Sequence, residues 1–122
     1  MTAIVDDIVG TAFSTKSLVS GDQVTVQLIG CLDLETAPLL RRFLTQLARE
    51  VDAGGLLEFE FDLEHLYLLS SSAISHFAIW LKTLRASKRV RQVKFRTNPN
   101  LAWQRRSLDA LWRLAQPMLT VE

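Results

Sequence analysis

The chain has one cysteine, two histidines, three prolines and five glycines among its 122 residues. The lone Cys31 excludes an internal disulfide and a multi-cysteine metal site. It reads as a small core residue at a strand end. No apolar run is long enough to span a bilayer. The N-terminal MTAIVDDIVG lacks the basic start and apolar stretch of a signal peptide. The expected location is therefore cytoplasmic, without membrane insertion. There is no glycine-rich phosphate loop, no Walker lysine and no Gly-x-Ser-x-Gly elbow. Internal repeats, low-complexity tracts and linkers are also absent.

The length fits one domain over residues 1–122. A hydrophobic share of 48% is enough for one core. The net charge of +1 hides a split: residues 1–65 carry −7 and residues 66–122 carry +8. A basic second half could mark a nucleic-acid surface. No helix-turn-helix, zinc finger or Gly-aromatic RNA motif accompanies the arginines, so the favoured reading is that the halves fold together and partly neutralise. No nucleic acid is expected as a partner.

The central stretch is Leu68 to Leu81, LLSSSAISHFAIWL. Before it, Leu57, Phe59, Phe61 and Leu63 alternate with Glu58, Glu60 and Asp62, the period of a half-buried strand. After the serines, Ile74, Phe77, Ala78, Leu81 and Leu84 recur at helical spacing. Serine suits a helix start because its hydroxyl accepts from an amide that has no partner within the helix. The same place suits a phosphate, since free amides and the positive dipole end favour an anion.

Residues 1–12 are open to a short helix or an extra strand, with Ile4, Val5, Ile8 and Val9 as its apolar positions. Phe13–Val19 and Val24–Ile29 flank the turn Ser20-Gly21-Asp22 and predict a hairpin closed by Gly30. Asp33 is a candidate helix cap, although Pro38 belongs in a first turn and pushes the boundary later. Leu39, Leu40, Phe43, Leu44, Leu47 and Val51 form the stripe of that helix, which Gly54-Gly55 ends. Leu56–Leu63 is the third strand, and the serine-capped helix runs to about Ser87. Val90–Thr97 is the fourth strand, with Lys94 and Arg96 on the wet side. Beside the third strand these bases would face Glu58 and Glu60. Asn98-Pro99-Asn100 reads as a turn followed by a cap. Leu101, Leu108, Leu111, Trp112 and Ala115 make the stripe of the last helix, and Met118–Val121 a short final strand. Strand–helix–strand units imply parallel neighbours. The expected fold is α/β: a mixed β-sheet of about four to five strands with helices mainly on one face.

Catalysis finds little support. His65 and His76 flank the serines, but no acid and elbow complete a triad. Glu58, Glu60 and Asp62 are explained by strand alternation more simply than by a metal. The expectation is no enzyme, no catalytic residue, no metal and no cofactor.

Two stretches resemble the STAS domain, the fold of bacterial anti-sigma-factor antagonists. In GCLDLETAPLLRR, Gly30, Leu32, Asp33, Thr36, Ala37, Leu40 and Arg41 match the family's G-x-L-D-x-x-T-A-x-x-L-R. FDLEHLYLLSSSAI is similar to the strand, turn and D-S-S-G-L that follow. Ser70 then takes the Asp position, Ser71 the phosphorylated serine and Ser72 the second serine. Ala73 takes the Gly position and Ile74 the Leu. Ser70 and Ala73 depart from the pattern, which leaves Ser70 or Ser72 as alternate acceptors. The segment Trp103-Gln104-Arg105-Arg106-Ser107 resembles a divergent standalone branch.

The resemblance implies a non-catalytic partner-switching regulator. A GHKL-type serine kinase, often itself the anti-sigma factor, would phosphorylate Ser71, and a PP2C-type phosphatase would reverse it. Asp33, Thr36, Ser70, Ser72, Ala73 and Ile74 would shape the partner surface, with Trp80 joining if it lies on a helix edge. Trp103, Arg105 and Arg106 are either a contact surface or a packed indole beside solvated arginines. A second implied reading is a constitutive adaptor, such as a STAS-like subunit of a lipid-transport ATPase assembly. A small serine hydrolase is a third, which the missing triad opposes.

Overall fold

Alternating side chains decide the sheet, and helical stripes decide what covers it. In the computed structural model, which describes residues 3–122, the strands are β1 (Phe13–Ser20), β2 (Gln23–Leu32), β3 (Glu58–Asp62), β4 (Leu66–Leu69), β5 (Gln92–Arg96) and β6 (Leu119–Val121). The helices are α1 (Ala37–Asp52), α2 (Ser71–Ser87) and α3 (Trp103–Ala115). The order across the sheet is β1-β2-β3-β5-β6, with β4 also paired to β2. Among the described residues only the β1–β2 hairpin is antiparallel; every other pairing is parallel. The sheet is mixed as expected, and its six strands exceed the four to five expected from sequence.

The additional strand is β4. The ten residues of β2 are long enough to serve two short partners. Gln23–Gln27 pair with β3, and Gly30–Leu32 pair with β4. β3 and β4 thus follow one another along one side of β2, separated by a loop at residues 63–65. Sequence alternation ran the third strand from Leu56 to Leu63; the observed β3 is shorter and β4 takes up the pairing beyond it. Tyr67 and Leu68 are both exposed, so β4 shows no period-two signal.

Val24, Val26, Leu28, Phe59, Phe61, Val93 and Phe95 are buried under the helical layer. Phe61 sits at the centre, stacked on Phe95 at 5.3 Å and edge-on to Phe77 and Trp80 at 5.5 Å each. Such aromatic pairs add about 0.5–1.5 kcal/mol beyond area burial. The opposite face is polar and paired. Lys94 lies across from Glu60 and Arg96 across from Asp62 in the β3–β5 register. Arg96 reaches Asp62 at 3.1 Å and Glu60 at 3.6 Å, and Arg91 reaches Asp22 at 2.6 Å. The expected meeting of the acidic third strand with the basic fourth is therefore found.

Several expectations need correction. The described part of residues 1–12 is neither helix nor strand; Met1 and Thr2 lie outside the described residues. The segment runs beside β1. Thr15 donates its amide to the Ile8 carbonyl at 3.0 Å, and the Asp7 carboxylate accepts from the Ser17 amide and from the Thr15 and Ser17 hydroxyls. These bonds occupy donors that an edge strand would otherwise leave free. Cys31 is indeed near a strand end but is half-buried, not a core residue. In α3 the stripe differs: Leu101 precedes the helix, Trp112 is 40% exposed, and Gln104 is fully buried. Asn100 does not cap α3, whose Ala102 cap has no side-chain bond. Among the described residues, no helix is long and apolar enough to cross a membrane.

Candidate functional site

The parallel pairing of β2 with β4 sets the two helix starts side by side. Cys31 faces Leu68 and Leu32 faces Leu69. One step further, the Ser70 amide donates to the Leu32 carbonyl at 2.8 Å. The turn from β2 into α1 and the turn from β4 into α2 therefore form one continuous surface.

The first turn is a reciprocal lock between Asp33 and Thr36. The Thr36 amide donates to Asp33 Oδ1, and the Asp33 amide to Thr36 Oγ1, each at 2.9 Å. The Thr36 hydroxyl also bonds the Cys31 carbonyl at 2.8 Å. α1 itself begins at Ala37, with Pro38 in its first turn. The cap is thus Thr36 and not the candidate Asp33, and the boundary lies later, as Pro38 requires. Asp33 closes the turn before the helix, and its carbonyl accepts from the Ala37 amide at 3.0 Å. The Thr36 amide, with help from its hydroxyl, holds the Asp33 carboxyl below the usual carboxylate range. Asp33 is therefore anionic at neutral pH.

The second turn is the serine run. Ser70 is the extended cap of α2, and its Oγ accepts from the Ala73 amide at 3.2 Å while its carbonyl accepts from Ile74 at 3.0 Å. Ser71 is exposed in the first helical position, and Ser72 is half-buried in the second. Among the described residues, neither of their amides has an acceptor. Ala73 is wholly buried, and Ile74 packs partly against the core. Ala73 and Thr36 thus shape this surface from beneath, while Asp33, Ser71, Ser72 and Ile74 reach it.

Sequence reading missed the apolar residues of both turns. Leu34 is 76% exposed, Tyr67 56% and Leu68 46%. All three lie within two or three residues of the motif positions, which was the available signal. Trp80 is only 4% exposed and wedged edge-on against Phe59 and Phe61, so it does not reach the surface at the serine turn.

Trp103, Arg105 and Arg106 stand on the first turn of α3. Trp103 packs partly on the core, and both arginines are exposed. Arg105 shares a hollow with Asp109, Trp112 and Val121. What joins α3 to the rest of this end is Gln104. Its amide nitrogen donates to the Leu63 and Leu66 carbonyls at 2.8 and 2.9 Å, and its oxygen accepts from the Asn98 amide at 2.7 Å. These bonds fix the loop between β3 and β4, and hence the approach to the serine turn. His65 lies 3.4 Å from the Tyr67 hydroxyl. No histidine is bonded to Ser70, Ser71 or Ser72 among the described residues.

No family model matches the chain, and no curated protein matches it. Solved structures do. The anti-sigma factor antagonist SpoIIAA in its unphosphorylated form superposes with a TM-score of 0.59 at 16% identity, covering 89% of this chain and 87% of that one. The phosphorylated form of the Bacillus cell fate determinant SpoIIAA gives 0.59 and 16%, with 91% of each chain covered. An anti-sigma factor antagonist from Mycobacterium paratuberculosis gives 0.51 and 20%, covering 88% of this chain and 84% of that one. At these identities the likeness is one of fold. The chain has the STAS-like fold of anti-sigma factor antagonists.

Proposed function

We propose that the chain is a non-catalytic partner-switching regulator, controlled by reversible phosphorylation of Ser71. The observation that carries this is the position of Ser71. It is the exposed serine at the start of α2, next to two amides without acceptors and beside the turn of an ionised Asp33. Ser70 already spends its hydroxyl as a cap, and Ser72 is half-buried, so Ser71 is the most accessible of the three.

The physical switch is local. A phosphate adds about −1.5 to −2 charges near pH 7. The Ser71 and Ser72 amides and the dipole end of α2 stabilise it. The same charge falls next to Asp33 and among the exposed Leu34, Tyr67 and Leu68. A partner seated on that apolar, hydroxyl-bearing surface meets a double anion instead and loses its fit. A GHKL-type kinase and a PP2C-type phosphatase are the corresponding partners. The shared fold with SpoIIAA, known in phosphorylated and unphosphorylated forms, supports this reading.

Intact-mass and peptide mass spectrometry of protein purified from its native cells tests it. One phosphate on Ser71, absent in Ser71→Ala, is expected. Phosphate on Ser70 or Ser72 keeps the switch and moves its site. No phosphate under several growth conditions overturns the switch and favours a constitutive adaptor, with the serines acting only as a cap.

A further inference from the structure

The outer surface of the helical layer carries a feature in which the serine turn takes no part. A groove of about 250 Å³ runs between α1 and α2. Leu44, Ala48, Ile79 and Trp80 line it, with Arg41 and His76 as polar neighbours. Ile79 is 64% exposed in mid-helix. The Trp80 indole N–H is buried without an acceptor, an uncommon condition for a buried donor.

Cations flank this strip on the α1 side. Arg41, Arg42 and Arg49 on α1 share an adjoining hollow with Thr45. None of the three pairs with a carboxylate among the described residues, whereas Arg91, Lys94, Arg96 and Arg113 all do. α2 contains no acidic residue. The bases of β5 are thus paired on the sheet face, while the three arginines of α1 are left without a carboxylate on the helical face.

We propose that the α1–α2 groove docks an acidic amphipathic helix of a partner protein. Its apolar stripe would lie on Ile79 and the groove, and its carboxylates would meet Arg41, Arg42 and Arg49. The lining residues span 41–48 on α1 and 76–83 on α2, so the groove offers about 12 Å, roughly two helical turns. Apolar anchors in a groove with charges at the rim are the pattern by which a helix is recognised. A nucleic acid would find an apolar strip where its backbone needs donors. A second copy related by a two-fold axis would set these cations against themselves.

Photocrosslinking the full chain in its native cells, with a benzoylphenylalanine at position 79, tests the proposal. The crosslinked segment, sequenced by mass spectrometry, should be net acidic with apolar residues at i, i+3 or i+4 and i+7. Arg41→Glu combined with Arg49→Glu should cut its yield at least tenfold, and thermal melting should show the variant still folded. Crosslinks to a second copy, to nucleic acid or to a segment without acidic excess overturn the proposal. So does a yield that ignores the charge reversal, or no crosslink at all.

Discussion

Ser70 and Gln104 show how differently two polar residues can be read. A serine ahead of a helical stripe is a local signal, and the structure gives Ser70 the cap that its neighbours suggest. Replacing it with Ala should lower stability by about 1 kcal/mol, the usual loss for a cap. Ser70→Asp should keep the cap and cost little. Urea denaturation of the two variants separates these outcomes. Gln104 gives no local signal, because a glutamine near a helix start normally faces water. Its partners lie 38 and 41 residues away in sequence and become visible only when the chain is folded. Gln104→Leu removes both of these bonds and the acceptor of the Asn98 amide, and should cost about 1–3 kcal/mol. Amide exchange at residues 63–69 should quicken in this variant, as the loop ahead of the serine turn loosens.

Among the elements, β4 and the N-terminal segment were the least legible. The helices were read nearly in full, since their stripes run over 13 to 17 residues and report burial on one side. The strands β1, β2, β3 and β5 alternate and were placed to within a few residues. Four residues with the pattern buried–exposed–exposed–buried carry no such period, so only the pairing with β2 makes β4 a strand. Gly30 is the junction of these two less legible parts. Its φ is +105°, and the register with β4 shifts there. A Cβ at this position would collide with the Ala12 carbonyl oxygen, which itself accepts from the Cys31 amide at 2.9 Å. Gly30→Ala should therefore cost about 2 kcal/mol or more, from left-handed backbone strain and the displaced segment together. By contrast, Gly21→Ala meets no neighbour and should cost only the strain of its turn. Thermal melting of the pair distinguishes a packed junction from an ordinary tight turn.

For the whole molecule, the charge split is a statement about folding as well as about partners. Acids of the first half and bases of the second meet across β3 and β5, so the sheet face is nearly balanced. Most of these pairs are partly exposed and contribute only tenths of a kcal/mol each. The carboxylates that matter to acid stability are those held inside hydrogen bonds. Burial would raise the Asp62 carboxyl, but the Glu64 amide at 3.0 Å and the Arg96 guanidinium outweigh it and hold it low. Thr36 does the same for Asp33. In both, the folded pKa lies below the unfolded value of about 4. The unfolded chain then binds more protons in that range, so stability rises with pH through it. The stabilising contribution is complete above roughly pH 5 and is lost as pH falls through the two folded values. The protein should accordingly show flat stability from pH 5 to 7 and a steep decline below pH 4. Asp33→Asn with Asp62→Asn should be less stable at pH 7, yet change less between pH 4 and pH 2 than the parent chain. Urea midpoints measured at half-unit pH steps check this. A decline of equal steepness in both proteins would mean that other carboxylates govern acid unfolding.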